Sequence, residues 1–148
     1  MIALGSDHGG YKLKEKIKEY FDSKNIKYID YGTNSEERTD YPIFAGKVCE
    51  SIQNNECDSG ILSCRSGIGM TMAANKYKGI RCGLADNVKV AKFGKMDDNI
   101  NVLVLPGDYI TEDEIIPIID AWMNAEFKGG RYQDRINMIE EYENKNMK

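Results

Sequence analysis

Short apolar runs alternate with longer amphipathic segments along the whole chain, and that alternation restricts the fold more than any other feature. Ile2–Ser6 reads as a strand, and Tyr11–Ser23 follows with Leu13, Ile17, Tyr20 and Phe21 at helical spacing. Ile26–Tyr31 reads as a second strand, stopped by Gly32-Thr33-Asn34. Ser35–Asp40 is a polar loop, and Pro42 suits the first turn of a helix that reaches about Asn54. Asp58–Ser63 is the third strand, with a glycine-containing turn and the helical segment Met70–Lys76 behind it. Ile80–Ala85 is the fourth strand, and Asn87–Lys95 is a helix with Val88 and Ala91 on one face. Asn101–Leu105 is an apolar fifth strand bounded by Pro106-Gly107. Glu112–Ala125 is a helix despite Pro117, with Ile115, Ile118, Ile119 and Trp122 as its buried stripe. Gly129-Gly130 separates it from a C-terminal helix, Arg131–Glu143, and a polar tail from about residue 144. Strands separated by helices in this way belong in a parallel sheet covered on both faces, which makes the fold class α/β. With 148 residues the expectation is a single domain, residues 1–148, large enough for a full core.

In such sheets ligands bind outside the C-terminal ends of the strands. That rule puts Asp7-His8-Gly9-Gly10, after the first strand, on the same rim as Ser63-Cys64-Arg65-Ser66-Gly67-Ile68-Gly69, after the third. A thiol where a strand turns into a helix meets free backbone N–H groups and the positive end of a helix dipole. Both stabilise an anion, so Cys64 is a candidate low-pKa base or nucleophile and the turn a candidate cradle for developing charge. The competing reading of Cys64 is a small buried hydrophobe. His8, the only histidine, lies in a glycine-rich turn beside Asp7, which favours a ligand contact over a structural role. Arg131 and Arg135 are one helical turn apart and either form a solvated basic face or clamp a phosphate. Tyr41 lines a pocket or staples a helix start, and the sequence does not separate the two. A phosphatase loop is disfavoured. That chemistry needs an arginine six positions after the cysteine, where this chain has Met70, and Arg65 is too close to replace it.

A formal charge of -4 and a pI near 5.1 give no reason to expect nucleic acid or an anionic membrane surface as a partner. No apolar run approaches the roughly 20 residues a membrane helix needs. The first residues, Met1-Ile2-Ala3-Leu4-Gly5, lack the pattern of a signal peptide. Cys49, Cys57, Cys64 and Cys82 show neither a C-x-x-C pair nor zinc-ligand spacing, so no disulfide or metal framework is expected and a reducing cytoplasm is the expected compartment.

Read together and in order, Asp7-His8-Gly9-Gly10, Asp30-Tyr31-Gly32-Thr33, Glu37-Arg38-Thr39-Asp40-Tyr41-Pro42, Gly67-Ile68-Gly69, Ala73-Ala74-Asn75-Lys76, Gly79-Ile80-Arg81 and Gly129-Gly130-Arg131 resemble the type B ribose-5-phosphate isomerases and the related galactose-6-phosphate isomerase subunits. The resemblance runs from residue 1 to about residue 140. It implies a three-layer, Rossmann-like α/β/α sandwich on a five-stranded parallel sheet. It also implies homodimers, often paired into dimers of dimers, with active sites shared between subunits. The implied chemistry is aldose–ketose isomerisation of a phosphorylated sugar, without metal or other cofactor. By the same resemblance Cys64 is the base, Ser66 keeps a hydroxyl beside it, and Gly67, Ile68 and Gly69 form the loop that holds the enediolate oxygen. Asp7 and Tyr41 contact the sugar, and His8, Arg131 and Arg135 contact the phosphate.

The chain departs from the family pattern at three places. Cys64-Arg65-Ser66-Gly67 stands where members carry Cys-Gly-Thr-Gly. Asp97 stands at the ring-opening histidine and Asp98 at a sugar-contacting asparagine, while Asp108 stands where an arginine usually joins the phosphate site. An ordinary aspartate, with a pKa near 4, has little proton to donate at pH 7, unless Asp97 and Asp98 raise one another in a closed site. Arg65 either offsets the added negative charge or replaces the arginine missing at position 108. Ribose 5-phosphate is the first expected substrate. The alternatives are another sugar phosphate, such as a four-carbon one that cannot close a furanose, or a six-carbon one, and a non-catalytic sugar-phosphate-binding subunit of a hetero-oligomer.

Overall fold

In a computed structural model, residues 1–147 are described. The strands are β1 (Ile2–Ser6), β2 (Tyr28–Asp30), β3 (Ser59–Cys64), β4 (Cys82–Leu84) and β5 (Val102–Pro106). The helices are α1 (Tyr11–Ser23), α2 (Tyr41–Gln53), α3 (Ile68–Ala74), α4 (Val88–Asp98), α5 (Glu112–Asn124) and α6 (Arg131–Asn146), with one 3-10 turn at His8–Gly10. The strands form one parallel sheet in the order β2-β1-β3-β5-β4.

Alternate strand residues face opposite sides, and each side has its own helices. Leu4, Ile61, Leu103 and Leu105 pack under Leu13, Ile17 and Phe21 of α1, Ala91 of α4, and Ile115, Ile118, Ile119 and Trp122 of α5. Ala3, Leu62, Cys64, Val102 and Val104 pack against Phe44, Ala45 and Val48 of α2 and Met70 and Ala74 of α3. The result is the three-layer α/β/α sandwich on five parallel strands that the sequence suggested. No helix among the described residues is long and apolar enough to cross a membrane. The four cysteines are free thiols.

Element ends differ from the sequence expectation where side chains replace ladder bonds. The Arg81 amide donates to the Asn101 side chain at 2.7 Å, so β4 begins at Cys82 rather than at Ile80. Cys82 then exchanges hydrogen bonds with the Asn75 carboxamide, at 2.9 and 3.0 Å, which pairs backbone groups at the free edge of β4. Helix α4 runs on to Asp98 and stops at Asn99, whose φ of 48° is left-handed. Asp97 and Asp98 therefore sit in a last helical turn, not in a loop. Helix α3 starts and ends two residues earlier than expected, at Ile68 and Ala74. Helix α6 continues past Glu143 to Asn146, into the segment expected to be a polar tail, whose last residue, Lys148, lies outside the described residues.

One buried ion pair joins α1 to β2. Lys14, 1% exposed, reaches Asp30 at 2.6 Å, and Asp30 also receives Lys18 at 2.9 Å and the Gly32 amide at 2.9 Å. Burial alone would raise the Asp30 carboxyl, but the two ammonium groups and the amide outweigh it, and its pKa lies below the ordinary value. A carboxyl whose pKa is lowered by folding stabilises the protein above its unfolded pKa, and that contribution is lost as pH falls through the folded one. Removing one partner leaves a buried charge unpaired, at a cost of about 3–5 kcal/mol. Asp30→Ala is predicted to lower the urea-unfolding free energy by about that amount at pH 7. The difference from the parent should shrink below pH 4, as the parent carboxyl protonates.

Candidate active site

The parallel register ends three strands at one level. Ser6 pairs with Ser63, and Cys64 pairs with Pro106, so the loops after β1, β3 and β5 meet on one rim. Cys64 is the last residue of β3 and is 6% exposed. The chain then turns through Gly67, whose φ of 79° is left-handed and whose missing side chain leaves room for Leu84 and Val104. In that turn the Met70, Gly67 and Ser66 amides lie near enough to the Cys64 sulfur to favour its thiolate. The Ser66 hydroxyl accepts from the Ile68 amide at 3.2 Å, which fixes it at the start of α3.

Burial dominates the thiol's ionisation. It pushes the Cys64 pKa up, against the pull of the Met70, Gly67 and Ser66 amides, and the nearby Asp7 carboxylate adds to the rise. The Cys64 pKa thus lies above its ordinary value, where the strand-to-helix placement leaves open both a low-pKa thiol and a buried hydrophobe. Two causes account for this outcome. Helix α3 has only 7 residues, so its dipole is weak, and the sulfur packs in the apolar layer with Leu62 and Met70.

Asp7 is buried and its carboxylate accepts from the Gly10 amide at 3.1 Å, closing the 3-10 turn that carries His8. A Cβ at Gly10 would run into the Ser63 carbonyl, so only glycine lets this turn lie against the end of β3. The Thr39 amide donates to His8 Nδ1 at 3.2 Å, and the His8 amide donates to the Thr39 hydroxyl at 3.2 Å. The neutral ring therefore carries its proton on Nε2. Thr39 was not picked out from the sequence. The only sign was its place in the Glu37–Pro42 motif, and its partner lies 31 residues away. Tyr41, at the start of α2, lays its ring on Gly69, where a Cβ would come within 2.6–3.0 Å of ring carbons. This puts Tyr41 against the cysteine turn as a wall of the rim. Arg65 leaves the turn in the other direction, crosses Gly9 and reaches Asp108 at 3.5 Å.

The remaining candidates form a second group away from this rim. Asp97 and Asp98 end α4, and Arg131 and Arg135 lie on α6, which packs on α4. Among the described residues no hydrogen bond or ion pair links this group to the first. Asp97 forms an ion pair with Lys128 at 2.9 Å. Asp98, next on the helix, lines a groove of about 340 Å³ with Arg81, Arg135 and Ile136. Both carboxylates also border a pocket of about 380 Å³ with Phe93 and Ile100, which is open to solvent rather than a closed site. The guanidiniums of Arg131 and Arg135 lie 5.2 and 5.4 Å from the centre of the Tyr132 ring, and Lys128 lies 4.9 Å from it. Arg131 donates to the Tyr132 hydroxyl at 3.2 Å and, with Lys128, holds that phenol below its ordinary pKa. Lys128 and Tyr132 had no sequence signal beyond flanking Gly129-Gly130-Arg131.

A doubly wound α/β sheet with a buried thiol, neighbouring amides and polar groups on its C-terminal rim defines a class of small-anion sites. Comparison with known proteins identifies the family. Residues 2–139 match the ribose/galactose isomerase family model. Ribose-5-phosphate isomerase B of Escherichia coli is 38% identical over 93% of each chain. The structure of Clostridium thermocellum ribose-5-phosphate isomerase B superposes with a TM-score of 0.96 at 40% identity, over 97% of both chains. That of the Mycoplasma genitalium ribose-5-phosphate isomerase B with bound ribulose-5-phosphate does so with a TM-score of 0.91 at 40% identity, over 97% of this chain and 95% of that one. The chain belongs to the ribose/galactose isomerase family, and its enzymatic class is that of an intramolecular oxidoreductase.

The thiol's surroundings predict its reactivity. Alkylation of Cys64 by iodoacetamide, followed site by site by mass spectrometry, should rise with pH to a midpoint above that of an ordinary thiol. Cys49 and Cys82, both pushed up to about 12 by burial, should react later still. A Cys64 midpoint at or below the ordinary value would contradict the balance of burial over amides.

Proposed function

We propose that this protein interconverts ribose 5-phosphate and ribulose 5-phosphate through an enediolate, with Cys64 as the base that moves a proton between C2 and C1. The observation that carries this reading is the Cys64 sulfur at the end of β3, beside the backbone amides of the turn that opens α3. Abstracting a proton beside a carbonyl leaves negative charge on oxygen, and the reaction needs a base and fixed donors at that place. The Gly67–Gly69 turn supplies the donors. Asp7, Tyr41 and the Nε2–H of His8 face the same rim and are assigned to the sugar hydroxyls and the phosphate. The relatives' names support the substrate: a ribose-5-phosphate isomerase B at 38% identity, and a family structure described with bound ribulose-5-phosphate.

The second group belongs to the same site across a two-fold axis in this proposal. Among the described residues no contact joins Arg131 or Arg135 to the rim of their own chain, and a homodimer would bring them to the partner's Cys64 turn as the phosphate clamp. Apolar side chains left exposed beside both groups, Ile68 and Met72 on α3 and Ile139 and Tyr142 on α6, are the surface such a dimer would bury.

One observation favours a second substrate. Asp97, at the ring-opening position, is committed to an ion pair with Lys128 at 2.9 Å, where the family pattern has a histidine. An aldose phosphate that stays open, such as a four-carbon 4-phosphate, needs no such acid. The test is a panel of four-, five- and six-carbon aldose phosphates with the purified protein. Turnover of ribose 5-phosphate is expected, and faster turnover of the four-carbon sugar would establish the second reading. No turnover on the panel would refute both. The shared site is tested by mixing two inactive variants, Cys64→Ala and Arg131→Ala/Arg135→Ala. Exchange of subunits should restore up to about a quarter of the parent sites, and no recovery on mixing would sink the shared site.

A further inference from the structure

We infer that Arg65 is a phosphate-recognising residue of this rim and that Asp108 is the positioning residue that holds it there. The inference rests on the isomerase reading and names the group that takes the substrate's charged end on this chain's own side of the site.

The pieces are tied together twice. The Asp108 amide donates to the Arg65 carbonyl at 2.9 Å, and the Asp108 carboxylate meets the guanidinium at 3.5 Å. The stem of Arg65 lies over Gly9, where a Cβ would come within 2.6 Å of its Cγ and 3.3 Å of its Nε. The same point is 3.3 Å from Asp7 Oδ1. The side chain is thus laid over the turn that carries His8, with its guanidinium reaching the loop after β5. Its one ion pair among the described residues is long, and the side chain remains 66% exposed. Several of its five N–H donors are therefore available to another anion. A phosphorylated sugar brings two negative charges to a rim that already holds Asp7 and Asp108, so binding needs a cation here. A planar guanidinium meets a phosphate through two parallel bonds, and fixing it beforehand reduces the entropy cost of doing so.

Arg65→Ala is expected to raise KM for ribose 5-phosphate about tenfold or more, with kcat changed less than about threefold, as loss of a charged hydrogen bond made equally in ground and transition states. Asp108→Asn should raise KM by a smaller factor. Arg65→Gly combined with Asp108→Arg, which returns the guanidinium from the opposite loop, should recover KM. Calorimetry with ribulose 5-phosphate and with unphosphorylated ribulose separates this claim from the reading it rests on. Arg65→Ala should weaken only the phosphorylated ligand, whether or not the parent turns over ribose 5-phosphate. An unchanged KM and dissociation constant, or equal weakening of both ligands, would overturn the assignment.

Discussion

Everything at the rim depends on the register of three neighbouring parallel strands. Because Ser6 lies beside Ser63, and Cys64 beside Pro106, the turns after β1, β3 and β5 emerge at one height and must pack on one another. Glycine makes that packing possible at the tightest points. Gly10 rests on the Ser63 carbonyl, Gly67 turns left-handed against Leu84 and Val104, and Gly69 accepts the Tyr41 ring. Shifting β3 by one residue would carry Cys64 from its apolar layer to the other face of the sheet. The chemistry is thus set by backbone pairing before any catalytic side chain is considered.

In the proposed mechanism the same geometry makes the thiol a conditional base. Apolar packing keeps it protonated, while the amides of its own turn are ready to receive an anion. Those amides serve equally well for sulfur or for a substrate oxygen, since both place negative charge in the same small volume. A site of this kind stores its basicity until a ligand alters the balance. The arginines on α6 add the complementary feature, a cationic surface stacked on Tyr132 that its own rim does not use.

The layer structure was legible in the sequence because apolar alternation and helical spacing report burial directly. Ile115, Ile118, Ile119 and Trp122 are buried as a stripe, and the five strands fall within a residue or two of their expected places. Illegible were the features set by contacts between distant residues. The Thr39–His8 exchange and the Asp97–Lys128 pair each join residues about 31 apart, with no local pattern to mark them. The end of α4 was missed because Lys95-Met96-Asp97-Asp98 places acids where a helix dipole disfavours them, a cost partly offset by the neighbouring Lys128. Arg65 and Asp108 were both visible as anomalies, but their ion pair emerged only when the β3 and β5 loops were seen to meet.

The central claim is that the Cys64 sulfur removes the proton from carbon. The direct measurement is kcat of a Cys64→Ser variant on ribose 5-phosphate, with ligand affinity followed separately by calorimetry. A hydroxyl at this position keeps size and polarity but is a far weaker base near neutral pH. The account predicts a loss of kcat of about a thousandfold, in the range set by a lost general base, with ribulose 5-phosphate affinity held within about threefold. Turnover within about tenfold of the parent would contradict it, and the base would have to be sought elsewhere on the rim.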